Sequence, residues 1–132
     1  MNIDTNQNST SNYIIDTVLK IDRMQKEAVI NEENSCVTCA NSLVSFQNNT
    51  LPISFIMRSG GYLTTNLSLD NETTTIYYKI EAVRSCRYVT LRKLENISAT
   101  LQATPQTLIV DLECVCAIEC HSPIQTTNCN LE

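Results

Sequence analysis

The chain has 132 residues, 42% of them hydrophobic, and a formal net charge of −5. A chain of this length makes one domain that buries roughly two-thirds of its unfolded surface, so disulfides are not needed merely to fold it. The acidic balance argues against nucleic acid and anionic membrane surfaces as partners, and no stretch approaches the ~18 apolar residues of a membrane-spanning helix.

Residues 1–11 are polar and read as a flexible arm. They contain neither a basic start nor an apolar run, so no secretory signal is expected. Ser11 or Asn12 is placed to cap a helix over residues 13–32, in which Ile14, Val18, Ile21, Met24 or Gln25, and Ala28 recur at three- and four-residue steps. Asp16 with Lys20 and Asp22 with Lys26 are acid-first pairs one turn apart.

From Ser35 the period changes to two. A strand is expected over Ser42–Gln47, then another in which Leu51, Ile53, Phe55 and Met57 alternate with Pro52, Ser54, Ile56 and Arg58. Pro52 marks this second strand as an edge or as one that begins with a bulge. Ser59-Gly60-Gly61 holds the only two glycines, where a hairpin turn needs positive φ. Leu63, Thr65 and Leu67 form the return strand, and Asp70-Asn71-Glu72 a turn. A strand over Thr75–Val83 is expected to carry Ile76, Tyr78, Ile80 and Ala82 on one face, and another to run over Tyr88–Leu94. A short strand follows at Ile97–Leu101 before Pro105 opens the last one. Its segment Leu108–Cys120 alternates, placing Leu108, Val110, Leu112, Cys114, Cys116, Ile118 and Cys120 on one face. The fold class is therefore mainly β (α+β), an antiparallel sandwich-like domain over residues 12–123 with one N-terminal amphipathic helix. Residues 124–132 read as a polar tail.

Little in this pattern suggests catalysis. The single histidine, His121, is the sequence neighbour of Cys120, so their side chains diverge on a strand end. Both glycines are spent in one turn, which leaves no phosphate loop. Asp111, Glu113 and Glu119 share a strand face, and a solvated edge explains them better than a paired-carboxylate site. Arg84 with Arg87 and Arg92 with Lys93 read as solvated strand positions rather than a nucleic-acid patch. Five Asn-x-Ser/Thr sequons, at Asn8, Asn48, Asn66, Asn71 and Asn96, follow from the abundance of these residues and are not taken as glycan sites.

The seven cysteines carry the chemistry: Cys36, Cys39, Cys86, Cys114, Cys116, Cys120 and Cys129. Their odd number leaves at least one thiol free, metal-bound or linked to another molecule. One reading is structural zinc, with Cys36, Cys39, Cys114 and Cys116 as ligands. Same-face neighbours two apart on a regular strand stand roughly 6.5–7 Å apart, awkward for one ion. Disulfides fit that spacing better, each of Cys114 and Cys116 taking a partner elsewhere. Cys129, on the polar tail, is the favoured intermolecular candidate, and no cofactor is expected.

Val110-Asp111-Leu112-Glu113-Cys114-Val115-Cys116-Ala117-Ile118-Glu119-Cys120-His121-Ser122-Pro123 resembles the C-terminal signature of spore outer-coat and exosporium proteins of the CotY/CotZ/ExsY type, the spore coat protein Z family. The resemblance extends to the helix ahead of Cys36 and Cys39, to Leu51–Phe55 with the Gly60-Gly61 turn, and to Ile80–Cys86 leading into Val89–Arg92. It implies a non-enzymatic protein that assembles with itself, and with other coat or exosporium proteins, into a disulfide-crosslinked shell around an endospore. It also implies synthesis in the mother-cell cytoplasm without a signal peptide, with oxidation after that cell lyses. The chain departs from the family in having no cysteine before Cys36 and no His- or Lys-rich tail, which leaves a subunit of a spore-surface filament as an alternative.

Overall fold

The structure, a computed structural model, describes residues 13–28, 49–69 and 72–126. The end of the expected helix, the expected strand Ser42–Gln47, most of the turn at Asp70-Asn71, and Cys36, Cys39 and Cys129 lie outside the described residues.

Helix α1 covers residues 13–28. Its apolar stripe buries Val18 and Ile21, with Ile14 and Ile15 packed beside them, while Lys26 pairs with Asp22 at 2.8 Å on the solvent side. At the ambiguous step the buried residue is Gln25, and Met24 points outward at 48% exposure. A polar residue wins that place because it is bonded there. Its Nε2 donates to Ile80 O (2.7 Å) and its Oε1 accepts from Leu51 N (2.9 Å).

Seven strands follow: β1 (Ile53–Met57), β2 (Thr65–Asn66), β3 (Thr74–Thr75), β4 (Tyr78–Arg84), β5 (Tyr88–Ile97), β6 (Thr100–Asp111) and β7 (Val115–Cys120). Five form one antiparallel sheet in the order β6-β5-β4-β1-β7, and β2 and β3 make a two-stranded ribbon. The fold is thus mainly β with one described helix, and α1 supplies the layer that packs on the sheet. Residues directly opposite across an antiparallel pair point to the same face. Register therefore assembles Ile53, Phe55, Tyr78, Ile80, Val89, Leu91 and Val110 beneath α1. Each such side chain, fully buried, contributes about 1.5–3 kcal/mol.

Four expectations need correction. Pro52 does not mark an edge: β1 is flanked by β4 and β7, and the proline sits just ahead of it, at the end of the ladder, where its carbonyl still accepts from His121 N. In β4 a bulge between Ile80 and Ala82 shifts the phase, so Val83 rather than Ala82 packs on the core; Ile76 precedes the strand. The expected short strand at Ile97–Leu101 is a hairpin, with Ser98 and Ala99 both in the left-handed region. Pro105 does not open the last strand but sits within edge strand β6, in the irregular register opposite Lys93.

The Gly60-Gly61 turn forms as expected, with φ of 105° and 78° and a hydrogen bond from Gly60 N to Met57 O. The start of the C-terminal tail is docked rather than free. Thr126 is buried, its N donating to Asn49 Oδ1 (3.0 Å), while Ile124 bridges to Thr50.

Candidate functional site

The alternating run Leu108–Cys120 is not one strand. Asp111 caps a 3-10 turn over Leu112–Cys114, its carboxylate accepting from Glu113 N, and β7 then starts afresh at Val115. A second break follows at once, because Val115 pairs with Met57 and Ala117 with Ile56, leaving Cys116 as the extra residue of a bulge. Core phase therefore passes from Leu112 to Val115, and the three sulfurs do not form a single row.

Cys86, Cys114, Cys116 and Cys120 are all exposed and free. Cys86 and Cys114 sit at one end of the sheet, on turns joined by Leu112 N donating to Arg87 O (2.8 Å). Cys86 occupies the β4–β5 turn with φ +50°, beside Ser85 at +56°. Ser98 and Ala99 adopt the same conformation without any thiol, so turn type explains it. Cys114 is held from two sides. Arg87 forks onto Asp111 (3.1 and 2.9 Å) and reaches Glu113 at 3.4 Å, and Arg58 donates its N to Cys114 O and its Nε to Glu113 O. The Arg87 hydrogen bond holds the Asp111 carboxyl below its ordinary range. Cys116 Sγ lies 3.7 Å from Met57 O. Cys120 stands opposite Ile53 at the far end of β7, where partial burial pushes its thiol above the ordinary value. Less of it is thiolate at neutral pH than for an ordinary cysteine.

The three carboxylates expected on one face part company, Asp111 and Glu113 serving Arg87 while Glu119 accepts from the Tyr62 hydroxyl. Three of the four basic side chains are likewise engaged: Arg87 with Asp111 and Glu113, Arg92 with Glu81 at 2.8 Å and with Thr104 O, and Lys93 with Asn66 O. Among the described residues no group of three or more His, Cys, Asp or Glu side chains is arranged to hold a metal, and no helix is long and apolar enough to cross a membrane.

One constellation was not foreseen. His121 Nε2 lies 2.9 Å from Ser54 Oγ, and the imidazole meets the Tyr77 ring edge-on at 5.1 Å. A serine beside a base is the start of nucleophilic chemistry, but Ser54 is completely enclosed and its oxygen meets no incoming substrate in this conformation. The pair pins the end of β7 to β1 beside the His121 N to Pro52 O bond. Nothing in the sequence pointed to it, since the partners stand on different strands and serine is the commonest of neighbours. A recess of about 230 Å³ lined by Thr74, Thr75, Tyr77 and Glu95 is smaller than the ~300–1,000 Å³ of ligand clefts. Comparison with protein-family models, with curated proteins and with solved structures finds no match to this chain.

Proposed function

We propose that this chain is a structural subunit of the bacterial spore surface, in the outer coat or exosporium, that assembles with copies of itself and with other coat proteins and is then locked by disulfides between subunits. One observation supports the reading above others: four thiols stand exposed and free, and none of them belongs to the core cluster of the described residues. Buried free cysteines behave as small hydrophobes; exposed ones on a sheet edge and its turns are placed to react with a neighbour. The resemblance over Val110–Pro123 supports the spore surface as the compartment. Assembly proceeds in two stages. Contacts between sheet edges first set the subunits in register. Oxidation then converts reversible contacts into a network. Cys129 is the residue assigned to reach beyond the domain, and the role is structural rather than catalytic.

The test is a non-reducing gel of the full chain after oxidation by a small-molecule disulfide, with zinc measured on the same material. A ladder of boiling-resistant multimers that collapses on reduction is expected, and Cys129→Ser should shorten it. A single monomer band, or stoichiometric zinc with thiols that react only after chelation, would overturn the reading in favour of a closed domain or a zinc module.

A further inference from the structure

We propose that two copies of the chain meet through β7, antiparallel across a twofold axis at Ile118, so that Cys116 of each copy bonds Cys120 of the other. This rests on the assembly reading above and names its first contact.

The backbone of β7 supplies the surface. β7 pairs with β1 on one side, and no described strand lies on the other. His121 N donates to Pro52 O, which fixes the phase: His121, Glu119 and Ala117 turn their polar groups to β1, and Ile118 and Cys120 turn theirs away. Phe55, opposite Ile118, agrees, because its carbonyl accepts from Leu63 N on the side away from β7. Cys116, the extra residue of the bulge, has no register partner on β1; its thiol rests 3.7 Å from Met57 O and must turn from there to bond a neighbouring copy. An edge of this kind is a template for another strand.

Charge and sulfur select the register. An antiparallel pair must match outward-facing residues with each other, so the axis falls on a residue rather than between two. An axis at Glu119 sets two carboxylates face to face, which is destabilising. An axis at Cys120 would pair β7 largely with residues beyond its own end, since the strand stops at Cys120. An axis at Ile118 places Ile118 beside its twin, each Glu119 opposite an Ala117, and each Cys116 opposite a Cys120. Opposed residues of that phase have Cα atoms about 5.5 Å apart, inside the roughly 4.4–6.8 Å span of disulfides. Within one chain the two sulfurs are four residues apart along a strand, roughly 13 Å, and do not bond each other. For each bond, one thiolate attacks a small-molecule disulfide and releases one thiol. The facing cysteine then displaces the second, so two protein thiols are oxidised as the reagent is reduced to two thiols.

A complementation experiment tests the contact. In full chains whose Cys36, Cys39, Cys86, Cys114 and Cys129 are serine, C116S and C120S are oxidised separately and as an equal mixture. The mixture is expected to give at least about tenfold more covalent dimer than either alone, since only unlike copies can form the bond across an isologous axis. Equal dimer in a single variant, or none in the mixture, overturns the proposal. Peptide mapping of oxidised wild-type chain, made by mixing ¹⁴N and ¹⁵N protein, reads the same contact without those substitutions. Cys116–Cys120 links joining light to heavy chains support it. Links from either cysteine to Cys36 or Cys39 of its own chain, or Cys120–Cys120 links, overturn it. Multimers lacking the Cys116–Cys120 link would sink this contact and leave the assembly reading standing; no multimers at all would sink both.

Discussion

Gln25 occupies a position that hydropathy would give to an apolar side chain, and its amide does what no apolar group can. Ile53 pairs with Tyr78, after which β1 and β4 diverge, and two backbone groups that would have met, Leu51 N–H and Ile80 C=O, are bridged by the Gln25 side chain. Replacing it leaves the buried Ile80 carbonyl and the part-buried Leu51 N–H without this partner, at about 1–3 kcal/mol for a fully buried group and less for the other. Gln25→Leu should therefore cost about 3 kcal/mol in urea unfolding despite the more hydrophobic side chain. A cost under about 0.5 kcal/mol would mean the two bonds contribute nothing. The sequence left Met24 and Gln25 equivalent, because periodicity measures position on a helix and not the hydrogen bonds waiting there. The same blindness hid Ser54–His121: a serine and a histidine become a pair only once β1 and β7 lie side by side.

At the scale of elements, the strands that alternated cleanly were legible, and the breaks between them were not. Ile53, Phe55 and Met57 face the core as their spacing demands, and Gly60-Gly61 turns where positive φ was needed. Ser98-Ala99 makes an equally tight hairpin without glycine or asparagine, so no composition signal announced it. Left-handed φ at these two residues costs roughly 1–2 kcal/mol each relative to residues that tolerate it. The double substitution Ser98→Asn, Ala99→Gly should thus stabilise the domain by about 1 kcal/mol, a rise in melting temperature of about 4 °C. A fall in melting temperature would show that the turn is not of this type. The run Leu108–Cys120 failed for a related reason. Its alternation is unbroken in sequence, yet a capped turn and a bulge each shift the phase. Asp111 was the available signal, an Asx residue able to accept from the N–H two places on. Its setting in an alternating run disguised it.

The described residues form a five-stranded sheet with two edges, a two-stranded ribbon and a helix on one face. Edge strand β6 runs twelve residues and meets its end in Asp111, already engaged with Arg87. Edge strand β7 is shorter, and its one carboxylate, Glu119, is drawn to Tyr62. Exposed thiols cluster on β7 and on the turns at one end of the sheet. None of these four sulfurs belongs to the buried core cluster, and on the proposed reading they join neighbouring subunits. The direct measurement is electron microscopy of the full chain, oxidised and then boiled in detergent, before and after reductant. The account predicts regular arrays that survive boiling and disperse only when reduced; isolated monomers before reduction, with every thiol accounted for inside one chain, would contradict it.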